Sequence, residues 1–147
     1  MDTTAGIAQA YTASTWPGLD WPNFSFAEMA CSQTGQCLLD QALMDALQRV
    51  RDICGPLTVT SGYRSPRHSV EMAKGNNAVP GPHVMGKAAD VRCHGAKAFE
   101  ILHTALDEGF TGIGISQRGE LDKRFLHLDV ITHFDDFPAK RPTIWSY

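Results

Sequence analysis

Apolar residues recur every three or four positions between residues 39 and 54, which is the spacing of one face of an α-helix. The apolar members of this face are Leu39, Leu43, Leu47, Val50 and Ile53. The opposite face is polar, as on the solvent side of a surface helix, and Gly55-Pro56 closes the segment. The pattern therefore predicts a helix over residues 39–54.

A second stretch, about 96–108, has the same periodicity and predicts another helix. Its apolar members are Phe99, Leu102, Ala105 and Leu106.

Four short segments have the alternation or the β-branched composition that is typical of strands. They cover residues 57–61, 87–93, 110–115 and 124–131. The last segment places His127 and Asp129 on one face, because side chains two positions apart on a strand point the same way. The third contains Gly112 and Gly114, and glycine inside a strand often marks a close approach of other backbone or of a ligand. The mixture of helices and strands with short connections predicts the α+β class with antiparallel pairing.

At 147 residues and 43% apolar content the chain is long enough for one hydrophobic core. We therefore expect a single domain over residues 1–147. Residues 1–23 show no sustained periodicity, and we expect them to form an arm that lies on the domain surface and is held there by Trp16 and Trp21. Residues 132–147 are polar and contain proline, which predicts a C-terminal tail with a few packed aromatic side chains.

Charge and hydropathy exclude several classes of function. The net charge is −3 and the 13 basic residues are scattered, so the concentrated positive surface of a nucleic-acid-binding protein is missing. No apolar run approaches the roughly 20 residues that span a bilayer. The first residues lack the basic and apolar regions of a secretory signal peptide. We expect no nucleic-acid partner, no membrane span, synthesis in the cytoplasm, and action on the target only after release or delivery.

The four cysteines are Cys31, Cys37, Cys54 and Cys93. They form no CxxC pair and have no histidine at zinc-finger spacing, so they do not indicate a structural zinc site. A disulfide between Cys31 and Cys37 is one alternative. Buried free thiols are the interpretation that fits a protein made in a reducing compartment.

Three residues that could bind a metal lie at the ends of predicted elements or on a strand face. His83 follows a loop rich in glycine and proline, Asp90 lies on a predicted strand, and His127 lies on another. Two imidazoles and one carboxylate leave a tetrahedral zinc ion with one open position, which is typical of catalytic zinc, whereas structural zinc is usually closed by four cysteine-rich ligands. A single histidine is more often a hydrogen-bonded structural residue, and spacing alone leaves both interpretations open.

Four separated motifs between about Phe24 and Ile131 carry a resemblance to a known family. They are Ser61-Gly62-Tyr63-Arg64-Ser65-Pro66, His83-x-x-Gly86-x-Ala88-x-Asp90, Gly112-Ile113-Gly114-Ile115 and Phe125-x-His127-x-Asp129-Val130. In this order they resemble the zinc peptidases that include D-alanyl-D-alanine carboxypeptidases, vancomycin-resistance dipeptidases, L-Ala-D-Glu endopeptidases and many phage endolysins. The resemblance implies the hedgehog/DD-peptidase fold, a small antiparallel sheet flanked by helices. It also implies Zn²⁺ bound by His83, Asp90 and His127, with Arg64 binding or polarising the substrate.

The chain departs from the family pattern at two positions. Gly81 stands where the family commonly has serine, and Arg124 stands where many members have an acidic general base. The best replacement for that base is Asp129, which shares a strand face with His127. The alternative is that the Asp129 carboxylate holds a ligand histidine in the right tautomer. Two further carboxylates in the preceding turn, Asp122 and Glu120, are outside candidates for the base.

The function that the resemblance implies is hydrolysis of an amide bond in the peptide stem or cross-link of bacterial peptidoglycan. The lack of a signal peptide and of a separate wall-binding domain fits a phage lysis enzyme or a virion-associated enzyme. The competing interpretation is a zinc-binding structural or interaction module of the same fold with little hydrolytic activity. The sequence does not define which bond is cut, whether the cut is endo- or carboxypeptidase work, or the oligomeric state, for which a monomer is our working expectation.

Overall fold

A computed structural model describes residues 7–147, so the first six residues of the predicted arm lie outside the described part of the chain. The strands are β1 (Ala8–Ala10), β2 (Leu38–Asp40), β3 (Thr58–Ser61), β4 (Ala88–Arg92), β5 (Gly112–Ser116), β6 (Phe125–Asp129) and β7 (Thr143–Ser146). The helices are α1 (Phe26–Met29), α2 (Gln41–Cys54), α3 (Ser69–Met72) and α4 (Gly95–Asp107), with short 3-10 turns at Leu121–Lys123 and His133–Asp135. The predicted α+β class is confirmed.

The main sheet has five strands in the order β3-β4-β6-β5-β7. Neighbouring strands are antiparallel except for β5 and β7, which are parallel. The register places Asp90 of β4 opposite His127 of β6, and His127 opposite Gly114 of β5. Two of the predicted metal ligands are therefore direct neighbours across the sheet.

The two long helices pack against each other and cover the sheet with a hydrophobic core. Leu39 belongs to β2 rather than to the helix. Asp40 is the N-cap of α2, because its side chain accepts a hydrogen bond from the amide of Ala42, and the helix therefore begins at Gln41. The buried faces of α2 and α4 are narrower than the apolar periodicity predicts. Ile53 is 59% exposed and Phe99 is 73% exposed. The periodic pattern thus includes apolar residues at the margin of each helix face that are not buried.

Aromatic side chains anchor residues 7–23. The rings of Trp16 and Trp21 meet edge to face at 5.3 Å, and the ring of Tyr11 lies 5.6 Å from that of Trp21. Trp21 is buried, and its indole N–H donates to Asp45 Oδ1 at 2.9 Å. Because β1 also pairs with β2, residues 7–23 are tied both to α2 and to the strand that precedes it.

The sequence Ser25-Phe26-Ala27-Glu28 predicts a capping box, and the structure contains it. The amide of Glu28 donates to Ser25 Oγ at 3.1 Å, and the amide of Ser25 donates to Glu28 Oε1 at 2.7 Å. We expect Ser25→Ala to lower the free energy of unfolding by about 1 kcal/mol, because an alanine at the N-cap leaves a helix amide unpaired. Ser25→Asp keeps an acceptor and should unfold within about 0.5 kcal/mol of the wild type in urea titrations. Equal losses for both variants would contradict this assignment.

A buried cation fixes the chain just before β4. Lys87 Nζ lies 2.6 Å from Asp40 Oδ2 and 3.2 Å from Asp135 Oδ1, and all three side chains are almost fully buried. The amide of Asp40 also donates to the carbonyl of Gly86 at 2.9 Å. Burying charges is costly unless they are paired. This cluster of ion pairs therefore links the start of α2, the residue before β4 and the 3-10 turn at His133–Asp135.

The four cysteines are buried free thiols, as expected for a chain without a disulfide. Burial raises the pKa of the Cys37 thiol to about 12 and that of the Cys93 thiol to about 11. Thiols that stay protonated are poor nucleophiles.

Within residues 7–147, no helix has the length and apolar character needed to cross a membrane.

Candidate metal centre

The three predicted metal ligands come together beside the middle of strands β4 and β6. Nε2 of His83 and Nδ1 of His127 each lie 3.2 Å from Oδ1 of Asp90. One donor atom from each residue lies within 4.8 Å of the other two. His83 comes from the loop before β4, whereas Asp90 and His127 face each other from β4 and β6.

Both imidazoles have one nitrogen bound to the protein and the other turned toward Asp90. Nδ1 of His83 lies 2.9 Å from the carbonyl oxygen of Gly62, which can only accept, so Nδ1 is the donor. Nε2 of His127 donates to Oδ2 of Asp129 at 2.8 Å. Nε2 of His83 and Nδ1 of His127 are therefore the nitrogens that can bind a metal. Two neutral imidazoles and one carboxylate, each imidazole oriented by a partner, are a donor set that fits zinc.

The charges of the centre stabilise one another. Burial alone raises the pKa of the Asp90 carboxyl, but hydrogen bonds with His127 and His83 outweigh burial and hold this pKa well below its usual range. Burial alone lowers the pKa of His127, but its hydrogen bonds to Asp129 and Asp90 outweigh burial and raise it. The two carboxylates thus favour the protonated form of the His127 imidazole and account for its raised pKa.

Asp129 lies behind His127 and faces away from open solvent. Its carboxylate is 0% exposed and accepts from His127, from two nitrogens of Arg141, and from the amide of Ile131. Burial favours the neutral carboxyl, but the hydrogen bonds from His127 and Arg141 prevail and lower the pKa of Asp129. Of the two alternatives for this residue, the arrangement favours a carboxylate that holds a histidine over one that takes a proton from the substrate side.

The other candidate bases lie outside the cavity. Glu120 and Asp122 are exposed in the turn before β6, and neither lines the space above the histidines. The Arg124 guanidinium donates from Nε and Nη2 to the carbonyl of Gly119. Within residues 7–147, Asp90 is the one carboxylate residue that borders the cavity.

The donors form part of the wall of a cavity of about 610 Å³. Its other lining residues are Arg64, Pro82, Phe125, Phe137, Ala139, Arg141, Thr143, Trp145 and Tyr147. Arg64 is held at the cavity by Glu71, whose Oε2 lies 3.0 Å from Nη1, and by Ser61 Oγ at 3.4 Å from Nη2. Burial would raise the pKa of Glu71, but the hydrogen bonds from Arg64 and Lys74 lower it below its ordinary value. A fixed cation therefore borders the same space as the candidate metal ligands.

The glycines of β5 provide the close approach that the sequence predicts. A Cβ at residue 112 would overlap the carboxylate of Asp129, and a Cβ at residue 114 would lie 2.8 Å from the indole of Trp145 and 3.0 Å from Cβ of His127. Only a strand without side chains at these two positions lets Asp129 and Trp145 pack beside His127. The glycines thus serve the residues behind the metal ligands.

Sequence reasoning missed the residues that the C-terminal segment contributes. Strand β7 lies beside β5, and the aromatic ring of Trp145 packs 5.1 Å from that of His127. The ring of Tyr147 lies 5.3 Å from that of Phe125. The run Thr143-Ile144-Trp145 after Pro142 has the β-branched and aromatic composition of a strand, which was the available signal. Side chains of residues 137–147 form one wall of the cavity.

Comparison with known proteins bears on the centre. A family model described as peptidase M15 matches residues 22–129, which is well over half of the chain and includes all three candidate ligands. The chain belongs to the peptidase M15 family. The family is that of the zinc D-Ala-D-Ala carboxypeptidases, which are metallopeptidases. A search among curated proteins found no match.

The M15 assignment and the geometry agree on the kind of centre, since the family is zinc-dependent and the chain brings a His-Asp-His donor set together. The extent of the family match also separates the C-terminal segment from the rest of the chain. The family match ends at residue 129, so the segment that carries Trp145 and Tyr147 lies beyond it. This wall of the cavity is a feature of the chain that the family match does not cover.

We expect zinc to bind this M15 protein more tightly as the pH rises. The raised pKa of His127 means that the imidazole keeps its second proton to a higher pH than an ordinary histidine, and zinc must displace that proton. Below that pKa the affinity should fall about tenfold for each unit of pH. Competition with a chromophoric chelator between pH 5.5 and 8 measures the dissociation constant. A constant that does not change over this range would contradict binding through Nδ1 of His127.

Proposed function

We propose that the protein is a zinc-dependent peptidase that hydrolyses an amide bond in the peptide stem or cross-link of bacterial peptidoglycan, in phage lysis or as part of a virion. The observation that carries the proposal is the convergence of His83 Nε2, Asp90 Oδ1 and His127 Nδ1 at the wall of a cavity. Three protein donors leave the fourth position of a tetrahedral ion open, as hydrolysis requires. Membership of the M15 family supports the same chemistry.

The proposed roles follow from what each side chain contacts. His83, Asp90 and His127 hold the ion, and a bound zinc ion supplies a Lewis acid that polarises an amide carbonyl and activates water. Arg64 borders the cavity with a guanidinium fixed by Glu71, which suits it to bind a substrate carboxylate or the developing oxyanion. Asp129 keeps the His127 ring oriented and the correct tautomer present.

The shape and charge of the cavity support a peptide substrate. Phe125, Trp145 and Tyr147 give one apolar, aromatic wall, and Arg64 gives a cationic group in the same cavity. Stem peptides combine small apolar side chains with free carboxylates, and such groups match an aromatic wall and a guanidinium. The proposed substrate class is therefore a short acidic peptide with small side chains.

Digestion of purified peptidoglycan tests this proposal. We expect the zinc-loaded protein to release new amino groups, and chelator-treated protein to regain this activity when zinc is restored. Mass spectrometry of the released muropeptides then identifies the bond and separates endopeptidase from carboxypeptidase action. A folded, zinc-loaded protein that releases no new amino groups from peptidoglycan or from short stem peptides would overturn the enzyme proposal.

A second candidate is a zinc-binding structural module of the same fold with little hydrolysis. Two observations favour it: both oxygens of Asp129 are already bound within the protein, and Arg124 occupies the position of the family's acidic residue. On this alternative the protein binds zinc and peptidoglycan without cleaving it. The same digestion distinguishes the two candidates, because the module retains stoichiometric zinc and releases no amines.

A further inference from the structure

The C-terminal segment, residues 137–147, lies next to β5 at the edge of the main sheet, and its side chains reach His127 and Asp129 on β6. Strand β7 runs parallel to β5, and the amide of Thr143 donates to the carbonyl of Thr111 at 2.9 Å. At the other end of the strand, the amide of Tyr147 donates to the carbonyl of Ile115 at 3.1 Å. This docking brings Arg141 beside Asp129. The segment therefore contributes a cation next to the residue that holds a metal ligand.

The guanidinium of Arg141 is fixed on all sides. Nε lies 3.0 Å from Asp129 Oδ1 and Nη2 lies 2.8 Å from Oδ2, so the pair is bidentate. Nη1 donates to the carbonyl of Ala139 at 3.0 Å. The rings of Phe137 and Trp145 flank the group at 5.1 and 5.3 Å, and the side chain is only 4% exposed. Such a pair has one geometry, because the planar fork matches both carboxylate oxygens at once.

Asp129 passes this constraint on to His127. Its Oδ2 accepts from Arg141 and from Nε2 of His127, both at 2.8 Å. The carboxylate lies against the Cα of Gly112, where a side chain would overlap it. Arg141 and Gly112 together leave the carboxylate a single position. The His127 ring can then donate only from Nε2, and Nδ1 faces Asp90 at 3.2 Å.

We propose that Arg141 is a positioning residue of the metal centre, which acts through Asp129 to fix the His127 imidazole with Nδ1 available to the metal. The inference rests on the proposed zinc site and does not require hydrolysis. Without Arg141, Asp129 loses two of its hydrogen bonds and can turn, so the His127 ring loses its fixed orientation. Partners that orient a zinc ligand typically change metal affinity by 10- to 100-fold. The C-terminal segment is on this basis part of the metal centre.

Zinc affinity of Arg141→Met tests this role, with Arg124→Met as the matched control. Arg124 precedes β6, and its guanidinium donates to the carbonyl of Gly119. Competition with a chromophoric chelator should give Arg141→Met a dissociation constant about 10- to 100-fold above that of the wild type. Arg124→Met should remain within about twofold of it. NMR of the zinc-loaded wild type should show a slowly exchanging Nε2 proton on His127, and this signal should be lost in Arg141→Met.

The possible outcomes separate this role from the proposed function. A wild type that binds no zinc overturns the proposed zinc site and this role with it. A wild type that binds zinc, with a folded Arg141→Met that binds within twofold of it, overturns the positioning role alone. An arginine that merely secured β7 would lower the unfolding temperature and leave zinc affinity unchanged. If Arg141→Met does not fold, Arg141→Lys keeps the charge without the bidentate pair, and the same twofold threshold applies to it.

Discussion

Replacement of His127 by alanine is expected to reduce peptidoglycan hydrolysis about a thousandfold and to weaken zinc binding. The change removes Nδ1, which lies 3.2 Å from Asp90 Oδ1, and leaves the ion with His83 and Asp90 alone. It also leaves the Asp129 carboxylate without its imidazole partner. The loss of about 4 kcal/mol of transition-state stabilisation corresponds to this factor. Release of amino groups from purified peptidoglycan, measured with excess zinc present, gives the ratio of rates.

His103→Ala provides the matched control for that experiment. His103 lies on α4, where its side chain is exposed and approaches only Asp107, at 3.6 Å. An exposed ion pair of this kind contributes little to stability, so His103→Ala should retain the wild-type rate and zinc content. If His127→Ala kept a near-normal rate with one zinc bound, His127 would be excluded from the proposed centre.

Gly112→Ala is expected to lower the free energy of unfolding by about 3 kcal/mol, because overpacking of a buried site costs about this much at its upper end. The new methyl group would overlap the carboxylate of Asp129. That carboxylate cannot simply turn aside, since Arg141 grips it with two nitrogens. The ion pair with Arg141, the contact with His127, or the pairing of β5 with β6 must give way. Urea unfolding followed by circular dichroism measures the change, and zinc affinity should fall in parallel.

Gly18→Ala is the control for this substitution. A Cβ at Gly18 would meet no atom within 4 Å, and its backbone does not have a positive φ. This variant should unfold within about 0.5 kcal/mol of the wild type, as surface substitutions usually do. A Gly112→Ala protein with wild-type stability and zinc affinity would show that Asp129 has room to move, and would weaken the case for its fixed position.

Periodicity was sufficient to predict the main elements of the fold. The helical spacing from Leu43 to Val50 reflects burial on one side of α2, and the alternation around His127 reflects a strand with Asp129 on the same face. The predictions were wrong at margins, as with Phe99, which the pattern places with the core but which is exposed. Periodicity reports which side of a helix is apolar, whereas the width of the buried stripe depends on what packs there.

The candidate metal donors could be named from the sequence because the resemblance to a zinc-peptidase family added to their residue types and spacing, which alone left a structural role open for each histidine. The ability to bind a metal is a property of the side chains of His83, Asp90 and His127 themselves. The register of β4 and β6 then places Asp90 opposite His127. For Arg141 and Trp145, residue type and local spacing indicate at most a short strand and not a place beside the candidate metal ligands. Their place depends on the parallel pairing of β7 with β5, which links segments far apart in sequence, and no local pattern encodes such a pairing.

The role of Asp129 could not be predicted from the pattern of its own strand. Alternation along β6 correctly placed its carboxylate on the side of His127. It could not distinguish a proton acceptor from an orienting partner, because this choice depends on Arg141, twelve positions later in the sequence and bound to both oxygens. The burial of a carboxylate and the partners that share it are properties of the assembled sheet.

Anomalous diffraction at the zinc absorption edge, on crystals grown with one equivalent of zinc, tests the proposed centre most directly. We predict a single strong site, about 2.0–2.2 Å from Nε2 of His83, a carboxylate oxygen of Asp90 and Nδ1 of His127. No other protein atom should bind the ion. A zinc ion bound elsewhere, no bound zinc, or a fourth protein ligand that closes the site would contradict the proposal that this chain builds a catalytic zinc centre.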